Sequence, residues 1–137
     1  MRNRNETHGR GGARRGFLSL ELALTLPILG VVLFALFEFS LLFFARSEVA
    51  QASRAGARLA AAPGVSAAEV EDRVRSLLGP RLNRRMQVRT DLGEETGDVV
   101  RVAVAVPMND ASPDLLWPIG YSLRGRSLLA ETRMVRE

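Results

Sequence analysis

From Leu22 to Phe37 the chain carries no charged residue, and if Glu38 is admitted the apolar character continues to Ala45. About 20 apolar residues cross a bilayer as a helix, so the run over 22–45 is long enough to span one with some tilt. A fully buried soluble helix of that length would be out of proportion in a chain of 137 residues, where one modest domain is all that fits. Pro27 removes one backbone hydrogen bond from the run, a loss that membrane helices tolerate. A secretory signal peptide would have a shorter apolar region followed by small residues at a cleavage site. Here more helix follows instead.

Beyond the run, Ala45, Ala52, Gly56 and Ala60 recur at helical spacing with Val49 and Leu59 beside them, while Arg54 and Arg58 share another face. The helix is therefore expected to extend over 46–62 and to end at Pro63-Gly64. Its small-residue stripe lets another element approach closely, and packing on the chain's own sheet is preferred to a subunit interface. The segment "SAAEVEDRVRSLLG" predicts a short second helix over 66–78. Ser66 and Glu69 form a capping box, Val70, Val74 and Leu77 line one side, and Gly79-Pro80 ends it. Glu71, Asp72, Arg73 and Arg75 fall on its solvated face.

The period then changes from helical to alternating. "RMQVRTDL", the polar turn "GEETGD" and "VVRVAVAVP" read as a hairpin whose Val100, Val102, Val104 and Val106 share one buried face. A last strand in "RSLLAETRMVR" completes a three-stranded antiparallel sheet over 86–135. In the irregular stretch between them, Leu115, Leu116, Trp117 and Ile119 are expected to cap one end of the core. The alternative for Trp117 and Tyr121 is the membrane interface or a partner. The fold class is α+β: a long N-terminal transmembrane helix extends into a small outer domain with a short second helix and a three-stranded sheet. The expected division is a basic cytoplasmic leader at 1–16, a transmembrane segment at 17–45 and an extracytoplasmic domain at 46–137.

The distribution of charge fixes the expected orientation. Net charge is +4, and five of the nineteen arginines with one of the fifteen acids lie in residues 1–16, leaving fourteen of each beyond. The whole excess sits ahead of the apolar run, which argues against a nucleic-acid partner and, by the positive-inside rule, puts the N-terminus in the cytoplasm. Everything after about residue 45 then lies outside. The chain contains no lysine and no cysteine, and its single histidine, His8, falls in the leader. No amine nucleophile, thiol or histidine-based site can be assembled in the outer part. Glu94, Glu95 and Asp98 lack the spacing of a calcium loop and read as a solvated hairpin tip. No catalytic residues, metal site, cofactor or small-molecule substrate are expected, and the chain is not expected to be an enzyme.

Glu21 stands out within this pattern. A charge at the centre of a membrane helix costs about 2.5–3.5 kcal/mol on insertion scales and less near an interface. One reading has the carboxylate reach back toward the headgroups on an uncut anchor. Another supplies a cation: an α-amino group at Phe17, with a reference pKa of about 7.7–8.0, would lie one helical turn away, in the same chain or an adjacent subunit. Glu38 lies roughly 32 Å beyond Phe17 along a helix, near the outer interface.

The basic leader ending in Gly16, with Phe17 next and Glu21 four residues later, resembles a type IV prepilin. The resemblance narrows to the TadE-like minor pilins, or pseudopilins, of tight-adherence (Flp pilus) systems. It is carried by "LELALTLPILGVVLFALFEF" and "ARSEVAQASRAGARLAA", strongly over about residues 16–62 and weakly over "LLAETRMVRE". Pro27, the Glu38-Phe39 pair, and Arg54, Gly56, Ala57 and Arg58 of the "ASRAGAR" block fall at the family's motif positions. Leu22 departs from the aromatic that Flp-type prepilins usually carry after the glutamate. The resemblance implies cleavage by a prepilin peptidase between Gly16 and Phe17, with Glu21 serving processing and subunit docking. It also implies a non-enzymatic role in assembling a Flp-type pilus or related secretion apparatus, with other Tad/Flp pilins and the assembly platform as partners. The implied location is the bacterial inner membrane, single-pass, with incorporation into a pilus as a further step. The alternative function is a permanently anchored envelope protein whose outer domain binds a non-pilus partner.

Overall fold

A computed structural model describes the backbone from Gly12 to Glu137 and the side chains from Ser19 onward. Residues 1–11, which hold most of the expected leader and His8, lie outside the described residues. The element order is α1 (Gly12–Ala60), α2 (Ala67–Leu77), β1 (Gln87–Asp91), β2 (Val99–Pro107), one helical turn at Met108–Ala111, a 3-10 turn at Trp117–Ile119 and β3 (Ser127–Val135). The chain forms two compact units, one running to Phe34 and the other from Ala35 to Glu137.

In the first unit α1 leaves its large apolar side chains uncovered: Leu20, Leu22, Leu24, Leu26, Ile28, Leu29, Leu33 and Phe34 are all exposed. The stretch Ser19–Ala60 contains a window apolar enough to cross a membrane, with a mean hydropathy of 2.5. α1 continues through Pro27, whose ring nitrogen has no proton to donate to the carbonyl of Ala23. Two hydroxyls turn back onto the helix: Thr25 Oγ1 donates to the Glu21 carbonyl at 2.7 Å and Ser40 Oγ to that of Leu36 at 2.7 Å. In apolar surroundings such bonds satisfy hydroxyls that have no other partner.

In the second unit α1 buries one stripe: Glu38, Leu42, Ala45, Val49, Ala52, Ser53, Ala57 and Ala60. Their spacing of three and four keeps them on one face of the helix. Opposite lies a sheet of order β1-β2-β3, antiparallel throughout, with Val102 facing Thr90 on one side and Thr132 on the other. The inward side chains of β2, at Val100, Val102, Val104 and Val106, are completely buried, while Arg101 points away. Helix and sheet share a polar bond at the centre of this contact. Ser53 Oγ lies 3.0 Å from the Val102 carbonyl and 2.9 Å from Thr132 Oγ1. One hydroxyl thereby joins α1 to both β2 and β3.

Gly56 provides the closest approach. A Cβ at this position would lie 2.8 Å from Val74 Cγ2, 3.3 Å from Val102 Cγ1 and 3.4 Å from Val70 Cγ1. The glycine therefore serves space between α1, α2 and β2, which answers the sequence's open question in favour of packing within the chain. α2 carries the expected capping box. The Ser66 amide donates to Glu69 Oε2 at 2.8 Å, and the Glu69 amide to Ser66 Oγ at 3.3 Å. The Ser66 backbone donor, followed by its side chain, holds the Glu69 carboxyl below its ordinary pKa. The Glu137 amide donates to the Ala61 carbonyl at 3.0 Å, just beyond the end of α1.

The connection between β2 and β3 departs from the sequence expectation. Leu116 is buried, but Trp117 is 61% and Ile119 58% exposed, so these two do not cap the core. The loop turns too tightly for every apolar residue to face inward. The Ile119 amide donates to the Leu116 carbonyl at 3.1 Å and the Gly120 amide to that of Trp117 at 3.0 Å, and Gly120 takes a φ of 91°. With Leu116 directed into the protein, the reversal that follows points its neighbours outward.

Gly56→Val is expected to destabilise the protein by on the order of 1–3 kcal/mol, because extra methyl groups would be forced between stiff valines. Chemical denaturation of the full chain in detergent measures this. An unchanged midpoint would show that α1 does not approach α2 and β2 this closely.

Candidate functional site

The two acids of the apolar helix end in opposite environments. Glu21 lies in the first unit, exposed, and its carboxylate has no hydrogen bond or ion pair among the described residues. Its backbone carbonyl accepts the Thr25 hydroxyl. Gly16 and Phe17 fall within the first turns of α1.

Glu38, by contrast, is fully buried in the second unit. Its Oε2 accepts the Leu116 amide proton at 3.0 Å, and its Oε1 has no hydrogen-bond partner among the described residues. The next residue, Phe39, sets its ring against Tyr121, with centroids 6.0 Å apart and the planes inclined by 54°. Two consecutive residues of α1 thus hold the loop between β2 and β3.

The loop is also closed upon itself. Asp114 adopts a φ of 53°, a left-handed conformation that aspartate tolerates better than most side chains. Its carboxylate accepts the Leu123 amide at 2.9 Å and the Ser122 hydroxyl at 3.1 Å. Tyr121 is flanked by Arg126, whose guanidinium lies 5.0 Å from the ring centroid and 3.3 Å from the phenolic oxygen.

Other polar groups are occupied by the architecture. Arg85 forms a forked pair with the buried Asp110, at 3.2 Å and 2.6 Å, joining the segment before β1 to the turn after β2. The hydrogen bond to Asp110, reinforced by its charge, raises the Arg85 pKa. At the hairpin, Asp98 Oδ2 accepts the Glu94 and Glu95 amides, both at 2.9 Å. These bonds, that from Glu95 first, hold its carboxyl below the ordinary range. A groove of about 280 Å³ runs beside α1, bordered by Leu41, Phe44, Ala45, Gly79, Pro80 and Leu82. Among the described residues no group of three or more acids or histidines is placed to hold a metal ion.

Residues 16–58 match a family model described as TadE-like protein. This segment is TadE-like. No curated protein and no solved structure matches the chain. The family match suggests a role in the Tad pilus system. The apolar helix provides one candidate membrane span.

Within the TadE-like segment the motif residues divide by environment. Glu38, Gly56 and Ala57 are buried in the second unit, and Phe39, half exposed, braces the Tyr121 loop. Arg54 and Arg58 are exposed on the far side of α1 and form no ion pair among the described residues. Glu21 and Pro27 belong to the uncovered first unit. The sequence did hold a signal for Glu38's position: four residues before Leu42 and seven before Ala45, it begins the stripe that becomes the buried face. Its partner, a loop amide 78 residues away, has no signature in side-chain pattern.

Glu38→Ala is expected to destabilise the protein by on the order of 1–3 kcal/mol, by leaving the buried Leu116 amide without an acceptor. Glu38→Gln, which keeps an acceptor oxygen, should lose less. Thermal unfolding of the full chain in detergent, followed through Trp117 beside the bond, measures both. Wild-type melting of Glu38→Ala would show that the carboxylate is not holding the loop.

Proposed function

We propose that the protein is a minor pilin, or pseudopilin, of a Tad (Flp-type) pilus or related secretion apparatus. In this reading it is cut after Gly16 by a prepilin peptidase and docked to other pilins through Glu21. The observation that carries it is the Glu21 carboxylate, exposed on an apolar helix and without a partner among the described residues, inside the TadE-like segment. A charge left in lipid without a partner is costly, and an ammonium on Phe17, one turn away, neutralises it in the same subunit or in its neighbour. The helix then has two uses. It holds the subunit in the inner membrane, with the N-terminus in the cytoplasm and the domain outside, and it offers a docking surface when subunits assemble.

The exposed face of the outer half of α1 supports the same reading. Arg46, Arg54 and Arg58 recur there at helical spacing beside the exposed ring of Phe43, a mixture of aromatic and guanidinium groups suited to protein contacts. The buried face of the helix is already occupied by the chain's own sheet, so partners meet α1 from this other side.

Glu21→Ala should enter the membrane at least as well as the natural chain, since it removes a charge, but should co-purify with other Tad pilins in greatly reduced amount. Normal recovery of the partners with this variant would eliminate the docking role. N-terminal sequencing of the membrane-extracted protein should begin at Phe17. A sequence beginning at the leader in cells with an active prepilin peptidase would contradict the processing step.

A further inference from the structure

We propose that the turn Trp117-Pro118-Ile119 is a second membrane contact, inserting into the leaflet on the domain's side of the bilayer beside the emerging helix. The proposal rests on the reading of α1 as a membrane span, and its occupant is the lipid of that leaflet.

Position along the helix carries the inference. Within the second unit Leu36, Phe37, Phe39, Phe43 and Phe44 are exposed apolar side chains, and the first charge after Glu38 is Arg46. Glu38 lies eight residues, or about 12 Å, before that arginine along the helix. The loop is fixed at this lower level twice, by the 3.0 Å bond from the Leu116 amide to Glu38 and by the contact of Tyr121 with Phe39. Trp117 follows Leu116 directly, so its Cα is about 3.8 Å from that of a residue bonded to Glu38. An indole and an isoleucine side chain, 61% and 58% exposed, are thus held beside a stretch of helix that is itself lipid-facing. In water they would form an unpartnered apolar patch. At the boundary of the hydrocarbon they continue the apolar surface of the span.

The chemistry of the surrounding groups fits a headgroup boundary. Tryptophan favours that depth, where the ring meets lipid and its N–H meets water. Arg124 and Arg126 follow in the same loop and are exposed, suited to headgroup phosphates. The turn is also rigid before it meets lipid, closed by Asp114 and by its own backbone bonds, so little conformational freedom remains to be lost on insertion. A helix and a turn that enter the same leaflet fix the domain's tilt and rotation about the span, whereas a single helix leaves rotation free.

Trp117 is the only tryptophan, so the indole emission of the full chain reports on this turn alone. The experiment reconstitutes the full chain in phosphatidylcholine–phosphatidylglycerol vesicles. It measures flotation with the vesicles, the emission maximum, and quenching by lipids brominated near the headgroup end of the acyl chain. The expected result is flotation with blue-shifted emission, most of which is lost to the brominated lipid. Ile119→Ser should weaken that quenching and shift the emission to the red. Flotation with red emission that ignores brominated lipid would overturn the wedge while leaving the span intact. Blue emission insensitive to brominated lipid would also overturn it, by placing a second copy over the turn. Failure to float would remove the span and the wedge together.

Discussion

A stripe of small side chains along the second half of α1 lets that helix lie against the valine face of β2, and the domain is arranged around this contact. Gly56 sets the distance, Ser53 ties the helix to β2 and β3, and α2 closes over Gly56 through Val70 and Val74. Without disulfides to hold a small domain in place, close packing of this kind is the main cohesive force available to it. The same helix must also present an apolar surface in its first half. α1 therefore changes character along its length: uncovered over the first unit, one-sided over the second.

Glu21 and Glu38 show the consequence of that change. Both interrupt the apolar run, and the same residue type meets two fates. Glu38 falls on the stripe that packs against the domain, and one of its carboxyl oxygens accepts a backbone amide proton of the same chain. Glu21 falls in the first unit, where it is exposed and its carboxylate has no hydrogen bond or ion pair among the described residues. Within the TadE-like segment Glu38, Gly56 and Ala57 are thus buried in the second unit, while Glu21 is exposed on the apolar stretch of the first.

Much of the fold could be read from residue spacing alone. The alternation of Val100 to Val106, the Ser66–Glu69 box and the stripe from Ala45 to Ala60 each follow from a local period, and each forms the expected element. What escaped was non-local or aperiodic. The partner of Glu38 is a main-chain amide, which carries no side-chain signal, and the outward set of Trp117 and Ile119 follows from a reversal fixed by Asp114 in a left-handed conformation. A short apolar run such as "LLWPI" has no period from which an inner and an outer face can be separated.

The most direct test of the division between the two acids is amide hydrogen exchange at Leu116 in the full chain, compared with Glu38→Ala. Slow exchange at Leu116 in the natural protein, becoming fast in the variant, is the predicted result, because the Glu38 carboxylate then holds that proton within its own subunit. Fast exchange in both would contradict it. Glu38 would then not hold the loop between β2 and β3.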